Sequence, residues 1–244
     1  MERAVILGAA RTPFGRFGGA LAPLSAPELG GAAIREAVDR SGVEDGEIGH
    51  SVFGIVVQAG VGQIPSRQAN RHAGLPFGLT TETLNQVCAS GMRSVTLAET
   101  MVRAGDYEVV LAGGMESMSN CPYLLPKARW GARMGDFAAV DSMVHDGLLD
   151  AFERVNMVRF GTEGARRWGI SREEQDRWAL RSHRRAAAAT DEGRLAEEIV
   201  GVKVPGGKSR AEFVERDEPI RRDTSLEKLA ALPPLDEGGT VTAG

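Results

Sequence analysis

Cysteine is scarce in this sequence: Cys88 and Cys121 are the two among 244 residues. A pair in a chain of this length makes no disulfide framework, and its spacing is not that of a metal-binding Cys-x-x-Cys. The expected setting is reducing and cytoplasmic. Positive charge is not in excess either, since 29 Lys and Arg stand against 33 Asp and Glu, a net charge of −4. That removes the basic field that advertises nucleic acid or an anionic membrane surface. Long apolar runs are missing too. Val5-Ile6-Leu7 is too short for the core of a signal peptide, and nothing approaches the length of a membrane span. The sequence therefore predicts neither a nucleic-acid partner nor a membrane one.

What remains is an ordinary globular composition, 42% hydrophobic and 25% charged, long enough to bury a core. Up to about residue 120, short apolar runs alternate with amphipathic segments. Val5 to Leu7 reads as a buried strand. Ser25 and Glu28 form a capping box that opens a helix with Leu29, Ala33, Ala37 and Val38 on one face, stopped by Gly42. Further strands are expected at Val52 to Val57, Thr83 to Val87 and Val109 to Ala112. Between the last two lies a helix carrying Val95, Ala98, Met101 and Val102 and ending at Gly105. Alternating strands and helices predict a layered α/β domain with a largely parallel sheet.

The pattern changes after residue 120. Residues 121–160 hold Pro, Gly, Met and aromatics without clear periodicity. Ser171 and Glu174 form a second capping box, opening a helix with Trp178, Ala179, Ser182 and Ala186 on one side. Arg181, Arg184 and Arg185 on that helix read as a solvated face. One β-like run, Ile199 to Val204, precedes a polar, Pro-rich tail. The organisation expected is an α/β domain over 1–120 and a large excursion over 121–244, of the size that usually serves as a lid or binding subdomain.

Cys88 sits where chemistry is expected. The order is strand, tight turn, helix, with the small residues Ala89, Ser90 and Gly91 allowing a sharp turn and close approach of a substrate. The sulfur falls near the N-terminus of the following helix, whose unpaired N–H groups and partial positive charge favour a thiolate. The same donors suit the oxyanion formed when a thioester carbonyl is attacked. This is the cysteine counterpart of a nucleophile elbow. Free cysteine is more commonly a small buried hydrophobe, and Cys121, in Ser119-Asn120-Cys121-Pro122, has only that reading.

Val87-Cys88-Ala89-Ser90-Gly91-Met92 resembles the nucleophile motif of thiolases, in particular the acetyl-CoA acetyltransferase branch. The likeness extends along the chain in family order. Ala9 to Gly15, Val57 to Gly60 with Gly62-Gln63 and Arg67-Gln68, Ala112 to Ser119, Leu125 to Gly131 and Gly239 to Gly244 are all similar to family segments. The Cys motif and the Gly113 to Ser119 run are the specific ones.

This resemblance implies a thiolase-like α/β half with an inserted CoA-binding excursion. It implies Claisen condensation of acetyl-CoA, or thiolytic cleavage of a 3-ketoacyl-CoA, with the acyl group carried as a thioester on Cys88. Coenzyme A thioesters are then substrates, and no separate cofactor is implied. Leu148, Met157, Arg221, Lys228 and Ala243 match positions that line the CoA channel; the two cations suit an anionic CoA group. A surface charge is the commoner role for Lys228, and Leu148 and Met157 equally suit a core. Where the family commonly reads His-Met-Gly, this chain has Asn156-Met157-Val158. The family's second α/β half, with its catalytic His and second Cys, is expected to come from elsewhere. His50, His72, His145 and His183 match no family base and are expected at the surface or at caps. The implied partners are acyl-CoA and either identical subunits, as a homodimer or homotetramer, or a complementary C-terminal half. The alternative is a truncated, non-catalytic remnant or scaffold that retains the CoA site.

Overall fold

The computed structural model describes residues 3–131, 133–205 and 212–244. It divides into two compact units, one of residues 1–147 and 198–218 and the other of 148–197 and 219–244.

The first unit is built on a three-stranded parallel sheet. Its strands are β1 (His50–Gly54), β2 (Thr80–Leu84) and β3 (Val110–Gly114), in the order β2-β1-β3. Helix α1 (Ala26–Ser41) precedes β1, α2 (Pro65–His72) joins β1 to β2, and α3 (Ser90–Ala104) joins β2 to β3. Parallel neighbours require such crossovers, because a tight turn reverses the chain. The register runs His50↔Thr80 to Gly54↔Leu84 on one side and His50↔Val110 to Gly54↔Gly114 on the other. Every residue of β1 is buried. Side chains alternate between faces, so both faces of this central strand are covered, as in the layered α/β class.

The helices start and stop where local chemistry directs. The Ser25 side chain accepts from the Glu28 N–H, and the Glu28 carboxylate accepts from the Ser25 N–H at 2.8 Å, the expected capping box. Gly42 and Gly105 close α1 and α3 in left-handed conformation, at φ 71° and 81°. Ile34 and Val38 of α1 pack with Phe53, Ile55, Ala69, Leu75, Leu79 and Met115 in the main core. A second cluster joins Leu21, Leu24 and Leu29 to Val202 and Val204. Val202–Val204 is β6, paired antiparallel with β7 (Glu212–Val214); a further short pair joins β4 (Tyr123–Leu124) to β5 (Val140–Asp141). The β-like run expected from Ile199 is thus a strand in its second half.

Several expectations shift. Val5 to Leu7 is not a strand, and its side chains are 55–82% exposed. A strand needs a neighbour for its N–H and C=O groups, and no ladder among the described residues includes this run. The nearest pairing is a single parallel bridge from Arg11 to Ile199. β2 ends at Leu84 rather than Val87, because Asn85 to Val87 form the turn before Cys88. His50 is not a surface residue. It is buried, stacks on Tyr107 with ring centroids 4.8 Å apart, and its Nδ1 lies 2.8 Å from the Thr80 hydroxyl.

The second unit is mostly helical: α4 (Met157–Arg167), α5 (Arg172–Asp191) and the short α6 (Leu226–Ala230). The Ser171–Glu174 capping box opens α5 as expected. Arg172 ties α5 to the end of α6 by donating to the Leu229 and Leu232 carbonyls at 2.6 and 3.1 Å. Asn156 caps α4, its side chain accepting from the Val158 N–H at 3.1 Å. Asparagine at this departure from the family pattern therefore has a local structural role. Among the described residues, no helix is long and apolar enough to cross a membrane.

Candidate active site

The β2–α3 junction is an uncommon piece of backbone. Val87 lies at φ 49°. For a β-branched residue that is a true outlier, costing about 1–3 kcal/mol. The surrounding bonds hold it there. The Val87 N–H donates to Asn85 Oδ1 at 2.8 Å, and the Val87 carbonyl accepts from the Ser90 N–H and Ser90 hydroxyl at 3.0 and 2.6 Å. The Ser90 Oγ also accepts from the Gln86 N–H at 2.8 Å. Asn85 is fixed in turn, donating from Nδ2 to the Val56 carbonyl at 2.9 Å.

The product of this turn is an exposed thiol. Cys88 is exposed and unbridged, directly before Ala89, the N-cap of α3. No side chain caps this helix. The Ala89 and Ser90 N–H groups are spent on the Gln86 and Val87 carbonyls at 3.1 and 3.0 Å, so what the helix start leaves uncapped are the donors beyond Ser90. Small residues let the helix approach the sheet: Ser90, Ser94 and Ala98 are its buried face, and the Ser94 hydroxyl donates to the Gly113 carbonyl at 2.8 Å.

Cys88 faces a cleft of about 850 Å³ within the first unit, whose wall includes Phe14, Val56, Gly114, Glu116, Met118 and Met143. That volume suits a ligand of cofactor size. Three charged side chains border it: Arg11, Arg16 and Glu116. Arg11 is committed, forming a bidentate pair with Asp217 at 2.8 and 3.0 Å and bonding Glu198 at 2.7 Å. Burial would raise the Asp217 carboxyl, but the Arg11 guanidinium and the Phe14 N–H outweigh it and hold it low. Burial pushes the Glu116 carboxyl up, against the Val56 and Val57 N–H donors that bond it at 2.7 and 3.3 Å. Among the described residues, no histidine or lysine lines the cleft.

Cys121 differs in kind. It is half-buried, its sulfur 3.9 Å from the Ser117 carbonyl. Burial first, then the carboxylates of Glu116, Asp141 and Asp146, push its thiol up, away from reactivity at neutral pH.

The remaining candidates all lie in the second unit. Leu148 ends a π-helical turn, Met143–Leu148, and is half-buried; Met157 opens α4, 50% exposed. Arg221 is exposed, its backbone N–H donating to His183 Nδ1 at 3.1 Å. Lys228 spends its ammonium on the Asp223 carboxylate and carbonyl, both at 2.7 Å. Ala243 is exposed near the end of the chain. None of the five lines two cavities formed by described residues of that unit, one walled by arginines of α5 and the other by Asn156, Arg159 and Asp236. Among the described residues, no group of His, Cys, Asp and Glu has the arrangement of a metal site.

Sequence reasoning gave Asn85 and Glu116 no role. The available signals were an amide directly after a strand and a carboxylate directly after the buried Met115.

Residues 4–244 match the family described as "Thiolase, N-terminal domain". The chain is 44% identical over 245 residues to an acetyl-CoA acetyltransferase of Pseudomonas aeruginosa and 46% identical over 245 residues to one of Chromobacterium violaceum. In each case all of this chain and 62% of the relative are covered. The crystal structure of the Bacillus anthracis acetyl-CoA acetyltransferase superposes with a TM-score of 0.95 at 36% identity, over 100% of this chain and 61% of that one. The chain thus spans about three fifths of the length of the curated relatives it matches.

Proposed function

Because the chain belongs to the thiolase family, matching its N-terminal domain, we propose that it handles acyl-CoA and carries the acyl group on Cys88. The observation behind this reading is an exposed thiol, held by a strained turn at an uncapped helix N-terminus, in the wall of a cofactor-sized cleft. The names of the relatives, acetyl-CoA acetyltransferases, support the substrate class.

The first half-reaction follows from the chemistry. The Cys88 sulfur attacks the thioester carbonyl, and negative charge builds on the carbonyl oxygen. The Cys88 N–H, just ahead of α3, suits this oxyanion as one donor. The carbon–sulfur bond to CoA then breaks. The acyl group remains on Cys88 and the proton of its thiol leaves with CoA, so the exchange balances without a further reagent.

The second half-reaction, condensation with a second acyl-CoA or thiolysis of the carried group, calls for a base. Among the described residues, the cleft lining offers no imidazole. We assign that group to a complementary C-terminal half. Residues 1–120 then act as the nucleophile-bearing half and 121–244 as the CoA-binding excursion, with Leu148, Met157, Arg221, Lys228 and Ala243 on the CoA side. The assembly proposed is a homodimer or homotetramer in the cytoplasm.

The same missing imidazole favours a second reading, a scaffold that retains the CoA site without turnover. Acetylation separates the two readings. With acetyl-CoA, mass spectrometry of proteolytic fragments should find one acetyl group, on Cys88. Labelling at Cys121, or none at all, would remove the acyl-carrier assignment.

A further inference from the structure

The hydrogen bonds behind Cys88 form one directed chain. The Val87 N–H donates to the Asn85 amide at 2.8 Å, and that amide donates to the Val56 carbonyl at 2.9 Å. The same peptide group, through the Val57 N–H, donates to Glu116 Oε1 at 3.3 Å, and the Val56 N–H donates to Oε2 at 2.7 Å. Every donor points toward the carboxylate. Amides linked in this sense polarise one another, and the charge at the end of the chain strengthens each step.

We infer that Asn85 and Glu116 are positioning residues of the cysteine turn, holding Val87 in the left-handed conformation that presents Cys88 to the cleft. The inference rests on the reading of Cys88 as acyl carrier. Valine does not adopt φ 49° unaided. Released, it would relax toward extended or right-handed helical backbone, and the next residue would turn with it. Ser90 restrains Val87 through its carbonyl, from within the helix that follows. Asn85 restrains it through its N–H, from the strand side, and ties the turn to the Val56–Val57 segment. Glu116 anchors that segment from the end of β3. Thus three pieces of chain that are distant in sequence meet to fix one peptide. Neither residue needs to touch the substrate.

The test compares the wild-type chain with Asn85→Ala, Glu116→Gln and the double variant Asn85→Ala/Val87→Gly. Two rates are read at Cys88: acetyl transfer from acetyl-CoA, and alkylation by iodoacetamide, which needs no CoA site. Protection of Cys121 from alkylation reports an intact fold. Asn85→Ala should slow acetyl transfer by roughly tenfold or more and slow alkylation in the same direction, with Cys121 still protected. Glu116→Gln should give an intermediate loss. Glycine adopts positive φ freely, so Val87→Gly should restore much of what Asn85→Ala removes. A generally structural role for Asn85 would show no such rescue. Wild-type rates in both single variants, or no recovery in the double variant, would overturn the inference. If wild-type Cys88 takes no acetyl group, the acyl-carrier reading fails, and the alkylation rates still decide the relay.

Discussion

Gly54 and Ser90 meet so closely that a side chain at position 54 has no room. A Cβ built on Gly54 would lie 2.5 Å from the Ser90 Cβ and 2.6 Å from its carbonyl carbon. Gly114, the register partner of Gly54, is in the same position toward Gly91, with a built Cβ 3.2 Å from the Gly91 Cα. The end of the sheet and the start of α3 are in backbone contact, and Cys88 sits at that contact.

Gly54→Ala should therefore act on the site as well as on stability. The obstruction is helix backbone, which cannot swing aside as a side-chain tip does. Overpacking of this kind costs about 1–3 kcal/mol. Urea denaturation should register the loss, and the variant should acetylate Cys88 more slowly than wild type while still folded. A neutral effect on both would mean that α3 retreats without disturbing the turn.

Much of the local structure is legible in the sequence because its causes are local. The capping boxes at Ser25 and Ser171 and the glycines at 42 and 105 act within a few residues of themselves. Val5 to Leu7 is misread because burial of a strand depends on a neighbour, which three apolar residues do not announce. The strand–turn–helix order around Cys88 is readable, but the conformation of Val87 is not. Its restraint comes from Asn85, whose own partner is 29 residues away, and from Glu116, 60 residues from Val56. No period or spacing links such positions. The departure at Asn156 is explained by a cap visible only once α4 has a start.

The Arg11–Asp217 pair should make the first unit acid-sensitive. Asp217 is 9% exposed and its carboxyl is held below the ordinary aspartate range. A depressed folded-state value means that stability is present above the unfolded-state value, about 3.9, and is lost as pH falls through the folded-state value. Asp217→Asn keeps an acceptor for Phe14 but loses the charge, and should cost about 2 kcal/mol near neutral pH. Denaturation at a series of pH values should show that difference shrinking in acid. A constant difference would mean the pair contributes through shape rather than charge.

Glu116 has the opposite sign. Burial raises its carboxyl. Its contribution is therefore most favourable below the unfolded-state value of about 4.3 and declines as pH rises through the higher folded-state value. Glu116→Gln should flatten stability against pH across that window, measured by denaturation midpoints. An unchanged slope would mean that the Val56 and Val57 donors fully offset the burial.

The two cysteines should separate cleanly in an alkylation series. Cys88 is exposed, while Cys121 is half-buried beside three carboxylates that push its thiol up. At neutral pH iodoacetamide should modify Cys88 first, with Cys121 reacting appreciably only in alkaline solution. The folded-state value of Cys121 is raised, so the neutral thiol is the form the fold favours. That contribution is complete below the unfolded-state value of about 8.5 and is lost as pH rises through the folded one. Alkylation of Cys121 should therefore climb together with loosening of the loop that carries it, and denaturation by urea should return both cysteines to one rate. Comparable modification of both in the folded protein at neutral pH would contradict the exposures described and deprive Cys88 of its distinction as the reactive thiol.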